Sequence, residues 1–179
     1  MKGIQKEITI MRLFDDPHML QIYEIYQTEK SCFMVMELME GGELFQKILA
    51  INAFTEKDAC ILMRQLLRCA EYMNKIDVIH RDIKPENIML KSKDSLEIKI
   101  IDFGLAEFRH DPDVLFKKSG TPGYCAPEVL SGKVYDTKSD VFSLGVIMYQ
   151  VLSGCSPFFG ESIDEIVRLN TAAIVYFNF

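Results

Sequence analysis

Residues 78–90 read VIHRDIKPENIML, and ten positions further on the chain continues IDFG at 101–104. Two short β-type runs, 88–90 and 96–101, flank the polar turn 91–95. On the turns beside them stand Asp82, Lys84, Asn87 and Asp102. Two of these offer oxygen ligands for a hard cation, one carboxylate can accept a proton, and one ammonium can face phosphate. Charge spreads over oxygens in the transition state of phosphoryl transfer, so positioned cations matter more there than covalent chemistry. The inventory at 82–102 suits that reaction.

Toward the N-terminus, residues 6–14 carry apolar side chains at helical spacing (Ile8 and Met11, preceded by Ile4), and Asp15, Asp16 and Pro17 stop the helix. Residues 20–26 and 32–38 read as two strands joined by the polar turn 27–30, with Gly41 and Gly42 breaking the second. A short helix over 43–50 follows. Thr55 with Asp58 resembles a capping box and opens an amphipathic helix reaching Lys75. Beyond the IDFG stretch, residues 103–126 read as irregular, and structureless loops of that length inside compact domains are usually functional. Thr137 or Ser139 caps the apolar helix through Leu152, which Gly154 and Pro157 end, and Ser162 with Glu165 opens a last short helix.

The chain has 179 residues with 49% hydrophobic, enough to bury a core without disulfides, and shows no repeat or linker, so one domain is expected. Its 20 Lys and Arg against 26 Asp and Glu give a net charge of −6, which disfavours duplex DNA or an anionic membrane and favours a cationic partner. The five cysteines (Cys32, Cys60, Cys69, Cys125, Cys155) are odd in number and never spaced CxxC, which points to a reducing, intracellular compartment. No secretory signal is legible at the N-terminus. Residues 141–160 are uncharged, but Ser143, Gln150, Ser153, Gly154, Ser156 and Pro157 interrupt them, so a helix buried in a soluble core is expected, not a membrane span.

Four motifs in order, HRDIKPEN at 80–87, DFG at 102–104, APE at 126–128 and SDVFSLG at 139–145, resemble the successive signatures of eukaryotic protein kinases. HRDIKPEN resembles the Ser/Thr enzymes, and SGTPGYCAPEVL at 119–130 is most like the calcium/calmodulin-dependent and calcium-dependent branch. The resemblance implies an α+β, protein-kinase-like fold. Residues 1–36 would be a small-lobe remnant of one helix and two antiparallel strands, 37–42 a hinge, and 43–179 a mostly helical large lobe.

The implied activity is transfer of the γ-phosphate of ATP, with Mg2+, to Ser and Thr hydroxyls of proteins. The resemblance assigns Asp82 to the substrate hydroxyl, Lys84 to the transferring phosphoryl group, and Asn87 and Asp102 to the metal. It places Glu7 behind the nucleotide, Met36 at the gatekeeper position, Glu37 and Met39 at the adenine through their backbones, and Met89 and Glu43 among the remaining nucleotide contacts. Glu43 and Glu86 match positions that hold Arg or Lys of a peptide substrate. Thr121 would contact Asp82 and Lys84. Met11, Ile22, His80 and Phe103 match a hydrophobic column based on Asp140, which gives His80 a packing role.

The family's GxGxxG loop and the strand lysine that pairs with Glu7 have no counterpart in the chain, so Glu7 is expected to lack a partner and full activity to need residues upstream. A non-catalytic kinase-like binding module or inactive fragment is the alternative. The large lobe is expected to be incomplete at its C-terminus with an apolar underside, and 174–179 (IVYFNF) to be a β-prone end. Lys117 stands where relatives often carry a phosphorylated Thr, leaving Arg81 without that anion and Ser119 or Thr121 as other acceptors. Calcium/calmodulin-type regulation would act through segments outside this chain. The implied partners are protein or peptide substrates, basic near the phosphoacceptor, with no nucleic acid. The implied location is cytoplasmic, with the nucleus also open.

Overall fold

The computed structural model describes residues 2–111, 119–133, 136–175 and 177; Lys117 lies outside them. Helix α1 (Lys2–Met11) buries Ile8, Ile10 and Met11. It ends three residues before the expected Phe14, because the amides of Leu13 and Phe14 bond carbonyls only three residues back and tighten the chain out of the α-helix. Strands β1 (Ile22–Gln27) and β2 (Cys32–Met36) form an antiparallel hairpin that pairs Gln27 with Cys32 and Ile22 with Met36. The first strand starts two residues later than read, since the Leu20 amide is taken by the Ile100 carbonyl at 3.2 Å. One face of this hairpin is open, with Tyr23, Tyr26 and Phe33 exposed.

The segment 37–42 lies along the strand β4 (Ile88–Leu90): the Gly41 amide bonds the Leu90 carbonyl at 3.0 Å, and the Leu90 amide bonds the Gly42 carbonyl at 2.9 Å. Gly41 has no room for more than hydrogen, as a Cβ there would stand 2.5 Å from the Leu90 carbonyl oxygen. Helix α2 (Leu44–Ile51) follows, then α3 (Glu56–Lys75), whose N-terminus is capped as the sequence reads: the Thr55 hydroxyl accepts from the Asp58 amide at 3.1 Å. The core lies between α3, which buries Leu62, Leu66, Cys69 and Met73, and α5 (Lys138–Ser153), which buries Leu144, Ile147 and Val151.

Four departures from the sequence reading have physical causes. Strand β5 (Ile98–Ile100) is shorter than 96–101, because the Leu96 carbonyl accepts from the Gln65 side chain and the Glu97 amide bonds Ser95 Oγ. The stretch 103–126 is not wholly irregular: β6 (Glu107–Phe108) pairs antiparallel with β3 (Val78–Ile79), setting Glu107 opposite Ile79. Thr137 and Ser139 do not cap α5. Thr137 already has helical dihedrals and donates to Asn74, and the capping oxygen is Asp136 Oδ1, 2.8 Å from the Lys138 amide. The Thr121–Gly123 turn leads into α4 (Pro127–Leu130), a single turn.

Gly154 ends α5 with φ +77, tucked against the Asn52 carbonyl where a side chain would collide. Helix α6 (Ile163–Ala172) opens with the Ser162 hydroxyl accepting from the Glu165 amide. No helix among the described residues is long and apolar enough to cross a membrane. Residues 141–153 belong instead to the core helix α5, which buries Ser139, Asp140, Ser143 and Gln150. The underside of α5 is apolar. Phe142, Met148, Leu152, Phe158 and Phe177 border a groove of about 710 Å³ there.

Candidate active site

The site is built on Asp140, which α5 delivers to the core at 2% exposure. Its two carboxylate oxygens accept from the backbone amides of His80 and Arg81 at 2.8 and 3.0 Å. Complete burial pushes the Asp140 carboxyl above its ordinary value. These two bonds hold the chain at Arg81 in the left-handed region, φ +70, an uncommon conformation for a residue other than glycine and one that turns the following segment outward.

His80 packs its ring 4.8 Å from that of Phe103, and both are fully buried. Its Nδ1 lies 3.3 Å from the Asp82 amide and its Nε2 3.3 Å from the Ile101 carbonyl. Nδ1 accepts and Nε2–H donates, so both nitrogens are occupied by backbone and neither is left for a metal or a substrate proton. Met11 stands in the same core, and Phe14 joins it with its ring 4.5 Å from that of Phe103.

Asp82 is the centre of a side-chain cluster. Oδ1 accepts from the Thr121 hydroxyl at 2.6 Å and Oδ2 meets Lys84 Nζ at 2.8 Å, while the same Nζ donates to Thr121 Oγ1 at 2.8 Å. Asn87 Nδ2 donates to the Asp82 carbonyl at 2.9 Å and to Oδ2 at 3.2 Å. Burial is the largest single influence on Asp82 and acts upward. The hydrogen bonds from Lys84 and Thr121, with the Lys84 charge, outweigh it and hold the carboxyl below its ordinary value of 3.8. Thr121 reaches this cluster because Gly120, at φ +103, sits where a Cβ would be 2.5 Å from the Arg81 carbonyl oxygen.

Asn87 ends the single 3₁₀ turn Pro85–Asn87, and its carbonyl accepts from the Ile101 amide at 2.9 Å, which ties it to the strand leading into Asp102. Asp102 is also left-handed, φ +59, and its Oδ1 accepts from the Gly104 amide at 3.2 Å. Glu7 converges on the same place: a Cβ on Gly104 would lie 3.1 Å from Asp102 Oδ1 and 3.9 Å from Glu7 Oε2. Burial first, and then the charge of Asp102, raise the Glu7 carboxyl above its ordinary value. No cation pairs with Glu7 among the ion pairs of the described residues.

Met36 is part-exposed at the end of β2, Met39 and Met89 are half-buried, and Glu43 forms a backbone bridge with Met89. Glu37 offers its carbonyl and not its amide, which the Gln21 carbonyl takes at 3.0 Å, and its carboxylate pairs with the buried Lys99 at 2.8 Å. Glu86 keeps one buried carboxylate oxygen with no hydrogen-bond partner among the described residues. Tyr124 feels it: burial, and then the Glu86 charge, push its phenol up to about 12. The segment 119–126 rests on the helices behind it through Asn170, whose side chain bonds the Gly123 amide and the Cys125 carbonyl, and through Gln150, which accepts from Tyr124.

Arg81 meets a carboxylate within the chain: Nη2 lies 3.6 Å from Glu107 Oε1, which also pairs with Lys6. The expectation about the anion at position 117 falls outside the described residues. Glu107, Lys99 and Asn170 are absent from the sequence reading. Each acts across a contact between distant segments, and only a buried charge in an apolar run, as in EIKII at 97–101, gives a local hint.

Comparison with known proteins fits this geometry. The model of a family described as the protein kinase domain matches residues 1–178. The chain is 39% identical over 166 residues to myosin light chain kinase A of Dictyostelium discoideum, covering 92% of the chain and 56% of that protein. It is 44% identical over 168 residues to calcium-dependent protein kinase 3 of Plasmodium yoelii yoelii (92% and 31%) and 42% identical over 161 residues to calcium/calmodulin-dependent protein kinase type 1 of Macrobrachium nipponense (89% and 46%). The chain thus spans between about a third and just over half the length of these relatives.

Proposed function

Because the chain belongs to the protein kinase domain family, we propose that it transfers the γ-phosphate of ATP to Ser and Thr hydroxyls of protein substrates. The observation that carries this reading is the closed cluster of Asp82, Lys84, Thr121 and Asn87. An ionised carboxylate held below its ordinary value, with an ammonium 2.8 Å away, is suited to orient a hydroxyl while a cation faces the phosphoryl group.

Asn87 and Asp102 fit a hard divalent cation. Asn87 spends its amide nitrogen on Asp82 and keeps an amide oxygen, and Asp102 and Glu7 face each other as like charges that a cation would relieve. Mg2+ there, when bound with ATP, supplies charge neutralisation of the phosphates. Asp82 accepts the proton of the substrate hydroxyl, Lys84 holds charge at the transferring group, and Thr121 keeps both in register. The carbonyl of Glu37 and the backbone of Met39 would meet adenine, with Met36, Met89 and Glu43 around it.

The unpartnered oxygen of Glu86 supports a basic residue near the phosphoacceptor, and the names of two of the relatives support calcium- or calmodulin-linked control through segments outside this chain. Five unpaired cysteines support a reducing, intracellular location, in the cytoplasm or nucleus. The test is peptide phosphorylation by the native protein carrying Asp82→Ala or Asp102→Ala. We expect turnover to fall at least about a thousandfold, the scale set by removing one member of a catalytic unit. Undiminished turnover in either variant would sink the assignment.

A further inference from the structure

We propose that Glu107 is a positioning residue whose buried carboxylate ties helix α1 to the loop 80–87 through Lys6 and Arg81. Glu107 is 3% exposed, and a single oxygen, Oε1, meets both cations. The two cations sit next to the residues that matter most: Lys6 precedes Glu7 on α1, and Arg81 precedes Asp82 on the loop. Glu107 itself belongs to the segment that follows Asp102, and its backbone is fixed opposite Ile79 in the β3–β6 pair. One side chain therefore joins three segments of the site that are separate in sequence.

The geometry of Arg81 strengthens this assignment. Its amide is held by Asp140 Oδ1 and its Nε donates to the Leu105 carbonyl at 2.7 Å, so the guanidinium is aimed at the segment carrying Glu107 from a fixed base. At 3.6 Å the Nη2 contact is ionic and not a short hydrogen bond, which makes the charge of Glu107, not its shape, the operative property. A buried ion pair contributes little net stability against an apolar replacement, but it fixes which elements meet. What Glu107 supplies is alignment of Glu7 with Asp82 and Asp102. The catalytic consequence rests on the kinase reading, whereas the mechanical link does not.

The experiment uses the native protein with Glu107→Gln, Glu107→Asp and Lys6→Met, measured by amide hydrogen exchange and by peptide phosphorylation. Glu107→Gln is expected to speed exchange about tenfold in both α1 and the loop 80–87 while α3 keeps its protection. It should lower kcat about tenfold with KM for the peptide within about twofold, and Glu107→Asp should recover much of the loss. Lys6→Met should loosen α1 alone.

Exchange that stays unchanged in α1 or in the loop, or that rises equally in α3, marks an ordinary structural residue and overturns the proposal. If Glu107→Gln fails to fold, Lys6→Met decides, since wild-type protection of α1 in that variant overturns the link. Failure of the kinase reading looks different. Asp82→Ala would then turn over like the parent, or the parent would not phosphorylate peptide at all, and the exchange pattern would still judge the link.

Discussion

At Asp82, burial and hydrogen bonding act in opposite directions, and hydrogen bonding prevails. A carboxylate whose folded value lies below its unfolded one contributes stability that is present above about pH 4 and is lost as pH falls through the folded value. Lys84→Met removes a hydrogen bond and a charge that favour ionisation and leaves burial in place. The acid limb of kcat/KM should therefore move to higher pH, and kcat should fall at least about tenfold, the minimum for losing a positioned cation at a transferring phosphoryl group. A pH profile with its acid limb unmoved would contradict this. Glu7 has the opposite sign, because burial and Asp102 raise it, so its ionisation opposes folding. Glu7→Gln should raise the melting temperature at pH 7, and the gain should vanish below about pH 4.5, where the parent side chain is protonated in both states. Thermal scans at pH 7 and pH 4 check it, and equal gains at both would refute the electrostatic cause.

Among the elements, α5 does the most for the site, because it places Asp140 beneath two backbone amides of the loop 80–87. Asp140→Ala leaves two buried N–H groups unpaired at about 1–3 kcal/mol each, so we expect a loss of roughly 2–6 kcal/mol. Urea unfolding should show the midpoint falling at constant slope, and a loss below about 0.5 kcal/mol would mean that the amides find other partners. Asp140 was legible in the sequence through the motif SDVFSLG, and Asp82, Lys84, Asn87 and Asp102 were legible because the chemistry restricts residue type on turns beside strands. The cap of α5 was not. Asp136, Thr137 and Ser139 are all capping residue types, and only the backbone, which makes Thr137 helical, selects Asp136. The pair β3–β6 was hidden for another reason: two-residue strands carry no periodicity, and their partner is distant in sequence.

In the whole molecule, helical apolar spacing made α1 and α3 legible, the polar turn made the β1–β2 hairpin legible, and capping and breaking residues did the same for α5 and α6, each to within a few residues. Contacts between segments were not legible. The Lys6 and Glu107 partnership spans 101 positions, and Lys99 with Glu37 joins β5 to the chain after β2, so nothing in either neighbourhood announces them. Surface texture is also a property of the whole. The open face of the β1–β2 hairpin and the underside of α5 leave Tyr23, Phe33, Met148, Leu152 and Phe177 exposed, and the α5 groove of about 710 Å³ is lined almost wholly by apolar side chains. Apolar patches beyond a few hundred Å² are rare on monomeric proteins. The folded chain should therefore bind an environment-sensitive apolar dye such as ANS while its near-ultraviolet circular dichroism stays intact, which separates a native apolar surface from a loosened core. Met148 is 49% exposed and Leu152 36% exposed on one side of the groove, so Met148→Glu with Leu152→Gln can add polarity there without burying a charge. We expect that double variant to lose at least about half of the dye signal and to keep the parent's melting temperature within about 2 °C, the small effect typical of surface substitutions. Dye binding that survives the double variant would place the apolar surface on the hairpin face, where Phe33→Ser would then have to remove it.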